Sequence, residues 1–215
     1  MFPIPVNTGA LATTSPNMVL NFTSGVLDPR VTFTRTQGAT NAATYYNSSG
    51  VLSYASANTP RFDYNPTTLA AKGLLIEQSS TNLLTYSSDF SNAIWTKTNS
   101  SITTLADIAP DGTLTACKLV PGTSVNYHYI HNTQTIVSTN TYTYSVYIKA
   151  AGYSYALINS TSGFSEGNVG PIIDLIAGTK VGYLGSDLPV QIASAGNGWW
   201  RISVSRTANT SAGYI

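Results

Sequence analysis

Alternation of apolar and polar residues with a period of two runs through most of this chain. The clearest case is residues 141–149 (TYTYSVYIK), where aromatic and aliphatic side chains at even positions alternate with mostly polar ones at odd positions. Successive side chains of a strand point to opposite faces, so this pattern predicts a strand with one buried face. No window of 11 residues has a comparable 3.6-residue period, so we expect helix to be a minor component.

Similar short runs recur at the spacing typical of a β-sandwich or barrel, separated by turns rich in Gly, Asn and Pro. They lie at 19–22, 31–35, 44–46, 51–54, 60–64, 73–77, 101–104, 113–120, 127–131, 141–149, 154–159, 172–175, 180–184, 190–192 and 199–206. Asn47-Ser-Ser-Gly50 has the length and the glycine of a hairpin turn. The chain is therefore predicted to be all-β.

Composition divides the chain into three parts. Residues 1–18 contain Pro3, Pro5 and Pro16 without periodicity and predict an extended arm, which is either a frayed terminus or an arm that docks on a neighbouring subunit. Residues 19–80 form a β-rich region, and 81–215 form a sandwich. The last residues, Tyr214 and Ile215, look like the opening of a strand. We therefore expect that the gene product continues beyond 215, or that another chain supplies the missing strand.

The chain carries unusually few charges. Only 9% of its residues are charged and its net charge is +1, against about 25% charged residues in an average domain. The absence of a basic stripe argues against nucleic-acid binding, and the absence of an apolar run of about 20 residues argues against membrane insertion. The N-terminus has no signal-peptide pattern. Cys117 is the single cysteine, so no internal disulfide is expected.

No motif indicates catalysis. The nine carboxylates lie mostly at turns, as in Asp111-Gly112, where Asp has a conformational role. His128 and His131 are three residues apart, which places them on opposite faces of a strand and disfavours a zinc site. Nucleophile-elbow and phosphate-loop patterns are absent. We expect a non-enzymatic protein without a cofactor, although loop oxygens could hold a structural calcium ion with ligands that the sequence does not assign.

Aromatic residues are the remaining candidates for binding. In 198–204 (GWWRISV), Trp200 shares a strand face with Ile202, so we expect Trp200 to lie in the core. Trp199 shares the opposite face with Arg201. Trp199 is thus either an exposed platform or a side chain packed under a loop. Aromatic faces stack well on sugar rings. The candidate carbohydrate-binding residues are Trp199, Arg201, Tyr147 and Tyr153.

An ordered series of segments resembles structural proteins of tailed bacteriophages. It comprises 27–35 (LDPRVTFTR), 45–52, 60–64 (PRFDY), 73–77 (GLLIE) and 81–84 (TNLL), followed by 86–95, 109–113 (APDGT), 144–152 and 196–201 (GNGWWR). The second group is similar to a jelly-roll module of the carbohydrate-binding kind. The series covers most of the chain from about residue 19, although in such modules further strands follow the segment that matches 196–201.

The resemblance implies a small N-terminal β-region followed by an antiparallel jelly-roll β-sandwich. It also implies a virion location, as a component of a tail fibre, tailspike, head fibre or capsid decoration. The N-terminal region would attach to other phage structural proteins, and the jelly roll would bind a partner or host surface glycans. The protein would form a symmetric homo-oligomer, a trimer being one option. The resemblance implies no catalytic residue.

Two other functions stay open. The chain could be a carbohydrate-binding module of a secreted glycan-degrading enzyme, against which the missing signal peptide and the particle-type N-terminal segments count. It could also be a depolymerase in its own right, which would need a carboxylate pair across a cleft and more chain, such as a β-helix.

Overall fold

In a computed structural model, the described residues are 20–36, 43–164, 167–209 and 212–214, the last three as backbone only. Within this part the chain forms sixteen strands and no helix, which confirms the all-β prediction. The predicted arm at 1–18 lies outside the described residues.

All strand pairs between described residues are antiparallel. The N-terminal region contains β1 (Thr44–Tyr46), β2 (Leu52–Tyr54), β3 (Phe62–Tyr64) and β4 (Ala71–Leu74). The following strands are β5 (Thr96–Thr98), β6 (Ser100–Asp107), β7 (Ala116–Pro121), β8 (Tyr129–His131), β9 (Thr133–Thr135) and β10 (Thr141–Ile148). The last are β11 (Tyr155–Leu157), β12 (Gly170–Asp174), β13 (Thr179–Leu184), β14 (Val190–Ser194), β15 (Trp200–Thr207) and β16 (Ala212–Tyr214).

The predicted hairpin at 47–50 joins β1 to β2. Tyr46 pairs with Leu52, and the Asn47 carbonyl accepts a hydrogen bond from the Gly50 amide at 2.9 Å. Gly50 has φ +74°, and a Cβ there would collide with the Pro66 carbonyl. Glycine is therefore required both by the left-handed backbone and by the close approach of another loop.

Two three-stranded sheets form the sandwich. The front sheet has the order β10–β15–β14 and the back sheet has the order β11–β12–β13. Ile173 and Leu175 of the back sheet pack against Ile202 of the front sheet, and the Trp200 indole donates a hydrogen bond to the Leu175 carbonyl at 2.9 Å. Ile173 and Ile202 are fully buried, so the sheets share one apolar core.

The strand pattern predicted for 141–149 is confirmed in β10. Tyr144 and Val146 lie opposite Val204 and Ile202 of β15, on the face that packs toward the core. Thr143 on the alternate face is exposed. A full eight-residue register between β10 and β15 makes this pair the longest regular ladder of the sandwich.

Two strand predictions in the N-terminal region are wrong. Residues 20–22 and 31–35 belong to no strand, although exposure still alternates along 31–36. A period of two fixes which side chains face inward, but a strand also needs a neighbouring backbone to pair with. In the described part of the chain, the Arg35 carbonyl accepts a single backbone hydrogen bond, from the Asn58 amide at 3.1 Å, and neither segment continues into a strand ladder.

The N-terminal region packs on the outer face of the front sheet, near the β14–β15 turn. Tyr46 contacts the cluster of Ala116, Ala195 and Trp199. The Leu52 amide donates to the Pro110 carbonyl at 3.1 Å, and the hydroxyls of Thr67 and Ser194 are 2.9 Å apart. This packing covers one end of the front sheet and leaves the other end open.

Candidate functional site

The open part of the front sheet presents a hydroxyl ladder, which we define as Thr141, Thr143, Ser145, Ser205 and Thr207. Cross-strand hydroxyls meet at 3.0 Å between Thr141 and Thr207 and at 2.6 Å between Thr143 and Ser205. These four side chains are exposed. Hydroxyls both donate and accept hydrogen bonds, so the face offers many polar contacts without carrying a charge of its own.

A tyrosine–arginine cluster, defined as Tyr46, Tyr54, Tyr147 and Arg201, lies where the ladder meets the N-terminal region. Tyr147 and Arg201 are direct cross-strand partners on β10 and β15. The Tyr46 and Tyr147 side chains both pack against Ala116, Ala195 and Trp199. Tyr54 is 44% exposed. The cluster thus joins residues of the N-terminal hairpin to residues of the sandwich.

Arg201 is the cation of this cluster and is exposed to solvent. Its Nη2 donates a long hydrogen bond of 3.4 Å to the Ser145 hydroxyl. The ion pairs between described residues do not involve Arg201. An exposed guanidinium without a carboxylate partner among the described residues offers planar hydrogen-bond donors to an oxygen-rich ligand.

The tyrosines of the cluster resist ionisation. Burial raises the pKa of Tyr46 above its ordinary value, and neighbouring Tyr147 raises it further, while the Arg201 charge opposes the shift. Burial also raises the pKa of Tyr54, with contributions from Asp111 and Tyr147. Both phenols therefore act as neutral hydrogen-bonding groups at physiological pH.

The structure brings two of the four predicted carbohydrate-binding residues together and separates the other two. Tyr147 and Arg201 are adjacent. Trp199 is only 9% exposed, packs on Ala116 and Ala195, and donates its indole N–H to the Ile108 carbonyl at 3.0 Å. The Trp199 ring is therefore packed in the interior. The alternative in which Trp199 forms an exposed platform is wrong. Tyr153 is 69% exposed but lies beside β11, on the back sheet.

Sequence reasoning missed Tyr46 and Tyr54 as members of the cluster. They are about 100 residues away from Tyr147 in the chain, and Tyr45-Tyr46 reads as an ordinary strand of a hairpin. Only the packing of the N-terminal region against the front sheet brings them to Arg201. No local sequence signal reports such a contact.

A concavity of about 450 Å³ lies in the N-terminal region, away from the cluster. Its walls include Val26, Leu27, Tyr45, Phe62 and Tyr64. Aromatic and aliphatic walls with a few hydroxyls are typical of surfaces that hold apolar ligands or peptide segments.

The carboxylates in the described residues serve turns and ion pairs. Asp111 accepts from the Thr113 amide at 3.0 Å and Asp174 from the Ile176 amide at 2.8 Å, as the sequence analysis expected of Asp at turns. His128 Nδ1 lies 2.7 Å from the Asn99 carbonyl. Across the described ranges, no group of three His, Cys, Asp or Glu residues is arranged to hold a metal ion. Glu166 lies outside those ranges.

A scan against models of protein families finds no match to this chain, and a search of curated proteins finds none either. The resemblance to tailed-bacteriophage structural proteins therefore stays a prediction. Within the part of the chain that the structure describes, no helix is long and apolar enough to cross a membrane.

Proposed function

We propose that this protein is a non-enzymatic structural and adhesion component of a tailed-bacteriophage particle. In this proposal the N-terminal region attaches to other particle proteins, and the sandwich, with the jelly-roll topology that the resemblance implies, presents a surface for host glycans or a partner subunit. Several copies of the chain would assemble with the symmetry of the particle.

The observation that carries the adhesion role is the outer face of the front sheet. Its hydroxyl ladder is uncharged and ends at the tyrosine–arginine cluster, where Arg201 has no carboxylate partner among the described residues. Sugars offer the matching chemistry, because their hydroxyls hydrogen-bond to side-chain hydroxyls and guanidinium groups while their apolar faces contact tyrosine rings. A flat, open face also suits an extended polysaccharide.

The concavity of the N-terminal region supports an attachment role for that region. It is lined by Tyr45, Phe62 and Tyr64 and lies apart from the tyrosine–arginine cluster. Binding to the particle and binding to a glycan can therefore use separate surfaces of the chain.

Glycan adhesion is tested by measuring how the purified protein binds to polysaccharide extracted from the surface of the host. Combined Arg201→Ala and Tyr147→Ala substitutions should weaken binding at least about 10-fold, which corresponds to about 1.4 kcal/mol. Arg30→Ala is the matched control, since Arg30 is also an exposed arginine but lies in the N-terminal region, paired with Asp28. It should bind like the wild type.

Equal binding by the wild type and the double variant would contradict the role of this face. Binding that depends on Arg201 and Tyr147 in a protein that is missing from phage particles would favour the other function, a carbohydrate-binding module of a secreted glycan-degrading enzyme. Particle content thus separates the two functions.

A further inference from the structure

The outer face of the back sheet is apolar, although it faces solvent. Tyr155 and Leu157 of β11 lie opposite Asp174 and Ile172 of β12, and Ile172 lies opposite Gly182 of β13. The alternate residues, Ala156 and Ile173, pack into the core shared with the front sheet. Because side chains alternate along a strand, Tyr155, Leu157 and Ile172 point away from that core.

Exposure along this face is high for its residue types. Its exposed apolar side chains define the back-face patch: Tyr153 69%, Tyr155 61%, Leu157 41%, Ile176 69%, Val181 54% and Leu184 39%. Val181 lies at the irregularity where the register of β12 and β13 shifts, and Gly182 keeps the middle of the patch flat. A contiguous apolar patch of this kind on a soluble protein marks an interaction surface.

The back-face patch carries almost no charge. Asp174 is the acidic residue on this face, and its carboxylate accepts hydrogen bonds from the amides of Ile176 and Ala177 at 2.8 and 3.0 Å. Lys180 pairs across the sheet with core-facing Ile173 and forms an ion pair with Asp187. Asp174 therefore lies among the apolar residues of the patch with its carboxylate bound to backbone amides, and the rest of the patch is uncharged, as is typical of the core of a protein–protein interface.

We propose that the back-face patch is the surface through which two copies of this chain associate. This inference deepens the self-association in the proposed function, on which it rests, by assigning that association to one surface. Two copies would pack their back sheets face to face about a two-fold axis, at the roughly 10 Å spacing of stacked sheets.

The area of the patch is sufficient for such a dimer. If a whole side chain of this size exposes roughly 150–200 Å², the six exposed residues leave on the order of 600 Å² per copy. Specific interfaces begin at about 1,200 Å² counted over both partners. The patch alone comes close to that limit, and the polar residues around it add to the buried area.

Charge explains why the partner is a second copy. A two-fold interface brings the same patch of both copies together, so a patch of many like charges would repel itself. The back-face patch holds the carboxylate of Asp174 as its charged group, and the whole chain has a net charge of only +1, which leaves little repulsion between copies.

The test is the molar mass of the full chain in solution, measured by light scattering after size-exclusion chromatography over a range of concentrations. The wild type should be dimeric. Leu157→Glu and Val181→Glu, which place a carboxylate on the patch of both copies, should each raise the dimer dissociation constant at least about 100-fold. Thr143→Glu is the matched control, because it adds the same charge to an exposed strand position of the front sheet, and it should stay dimeric.

Circular dichroism identifies a variant that fails to fold, and hydrogen exchange of the wild type gives an independent readout. Amides of 153–157 and 181–184 should become more protected as concentration rises. A wild type that stays monomeric, with no such protection, overturns the self-association itself and leaves the patch to a different partner. A wild type that dimerises, with folded patch variants that dimerise equally well, overturns only the surface assigned to it.

Discussion

Arg206 places a guanidinium inside the sandwich. The residue is 6% exposed. Its Nη1 donates to the carbonyl and hydroxyl of Ser160 at 3.1 and 2.9 Å and to the Gly167 carbonyl at 3.3 Å. The guanidinium also lies 4.9 Å from the centre of the Phe164 ring. Arg206 therefore ties the front sheet to the loop that precedes β12, by hydrogen bonds and a cation–π contact.

Arg206→Ala should lower the free energy of unfolding by about 3 kcal/mol, because it removes the hydrogen bonds of a buried guanidinium to Ser160 and Gly167 together with its contact with the Phe164 ring. Urea unfolding followed by circular dichroism measures the change. Arg201→Ala, on the exposed face, is the control and should change stability by less than about 0.5 kcal/mol. Equal stability of the Arg206 variant and the wild type would show that these bonds contribute nothing net.

Tyr46 and Tyr144 make the stability of the fold sensitive to high pH. Burial raises the pKa of both phenols above the ordinary value of 10.0, so they stay neutral in the folded chain at a pH where they ionise once it unfolds. A group of this kind contributes fully below its unfolded pKa, and its contribution is lost as the pH rises beyond that value.

The wild type should therefore lose stability above about pH 10, by up to about 1.4 kcal/mol per pH unit for each such tyrosine. Tyr46→Phe removes one of these ionisable hydroxyls, so the stability of that variant should fall less steeply above pH 10. Urea titrations between pH 7 and 11 measure both slopes. Identical slopes for the two proteins would contradict the neutral, buried state of Tyr46.

The turn between β12 and β13 depends on one glycine. Gly178 has φ +66°, and a Cβ built there would overlap the six-membered ring of Trp200. Its amide donates to the Asp174 carbonyl at 2.8 Å. The turn is thus pressed against the Trp200 indole, which itself donates to the Leu175 carbonyl.

Gly178→Ala should destabilise the protein by about 3 kcal/mol, combining roughly 1–2 kcal/mol for a left-handed alanine with the cost of displacing Trp200. Gly167→Ala separates the two effects. Gly167 has a similar φ of +68°, and no atom of the described residues lies within 4 Å of its Cβ position, so that variant should show the backbone cost alone. Thermal unfolding of both variants gives the comparison, and equal losses would argue against the contact with Trp200.

Strand patterns were predictable where the sequence alternates strongly, and less so elsewhere. The alternation of 141–149 correctly predicts β10 and its buried face. β5 (TKT) and β9 (TQT) were not predicted, because all their residues are polar and therefore show no alternation of apolar and polar side chains. Residues 31–35 alternate but pair with no strand in the described chain. Alternation reports burial, whereas pairing depends on distant segments.

At the scale of the whole molecule, the candidate site depends on packing between parts of the chain that are distant in sequence. The sequence names Tyr147 and Arg201 as candidates, and the register of β10 and β15 makes them cross-strand partners. It cannot place Tyr46 and Tyr54 beside them, nor bury Trp199, because the N-terminal region meets the front sheet only in the folded chain. The apolar back-face patch was likewise hidden, since its outward and inward residues are both apolar in β11 and β12.

The proposed function assigns separate tasks to separate surfaces of the molecule. The N-terminal region attaches to the particle, the front sheet offers hydroxyls and Arg201 to a glycan, and the back sheet meets a second copy. The attachment task presupposes that the chain is part of a phage particle.

Mass spectrometry of the intact polypeptides in purified phage particles tests that central claim most directly, together with the copy number from quantitative gel densitometry. We predict that the chain, or a longer product containing it, is present at a copy number that matches the symmetry of the capsid or of the tail. A copy number at the capsid level would indicate a head fibre or decoration, and a low one a tail adhesin. Its absence from particles that are otherwise complete would contradict the proposal.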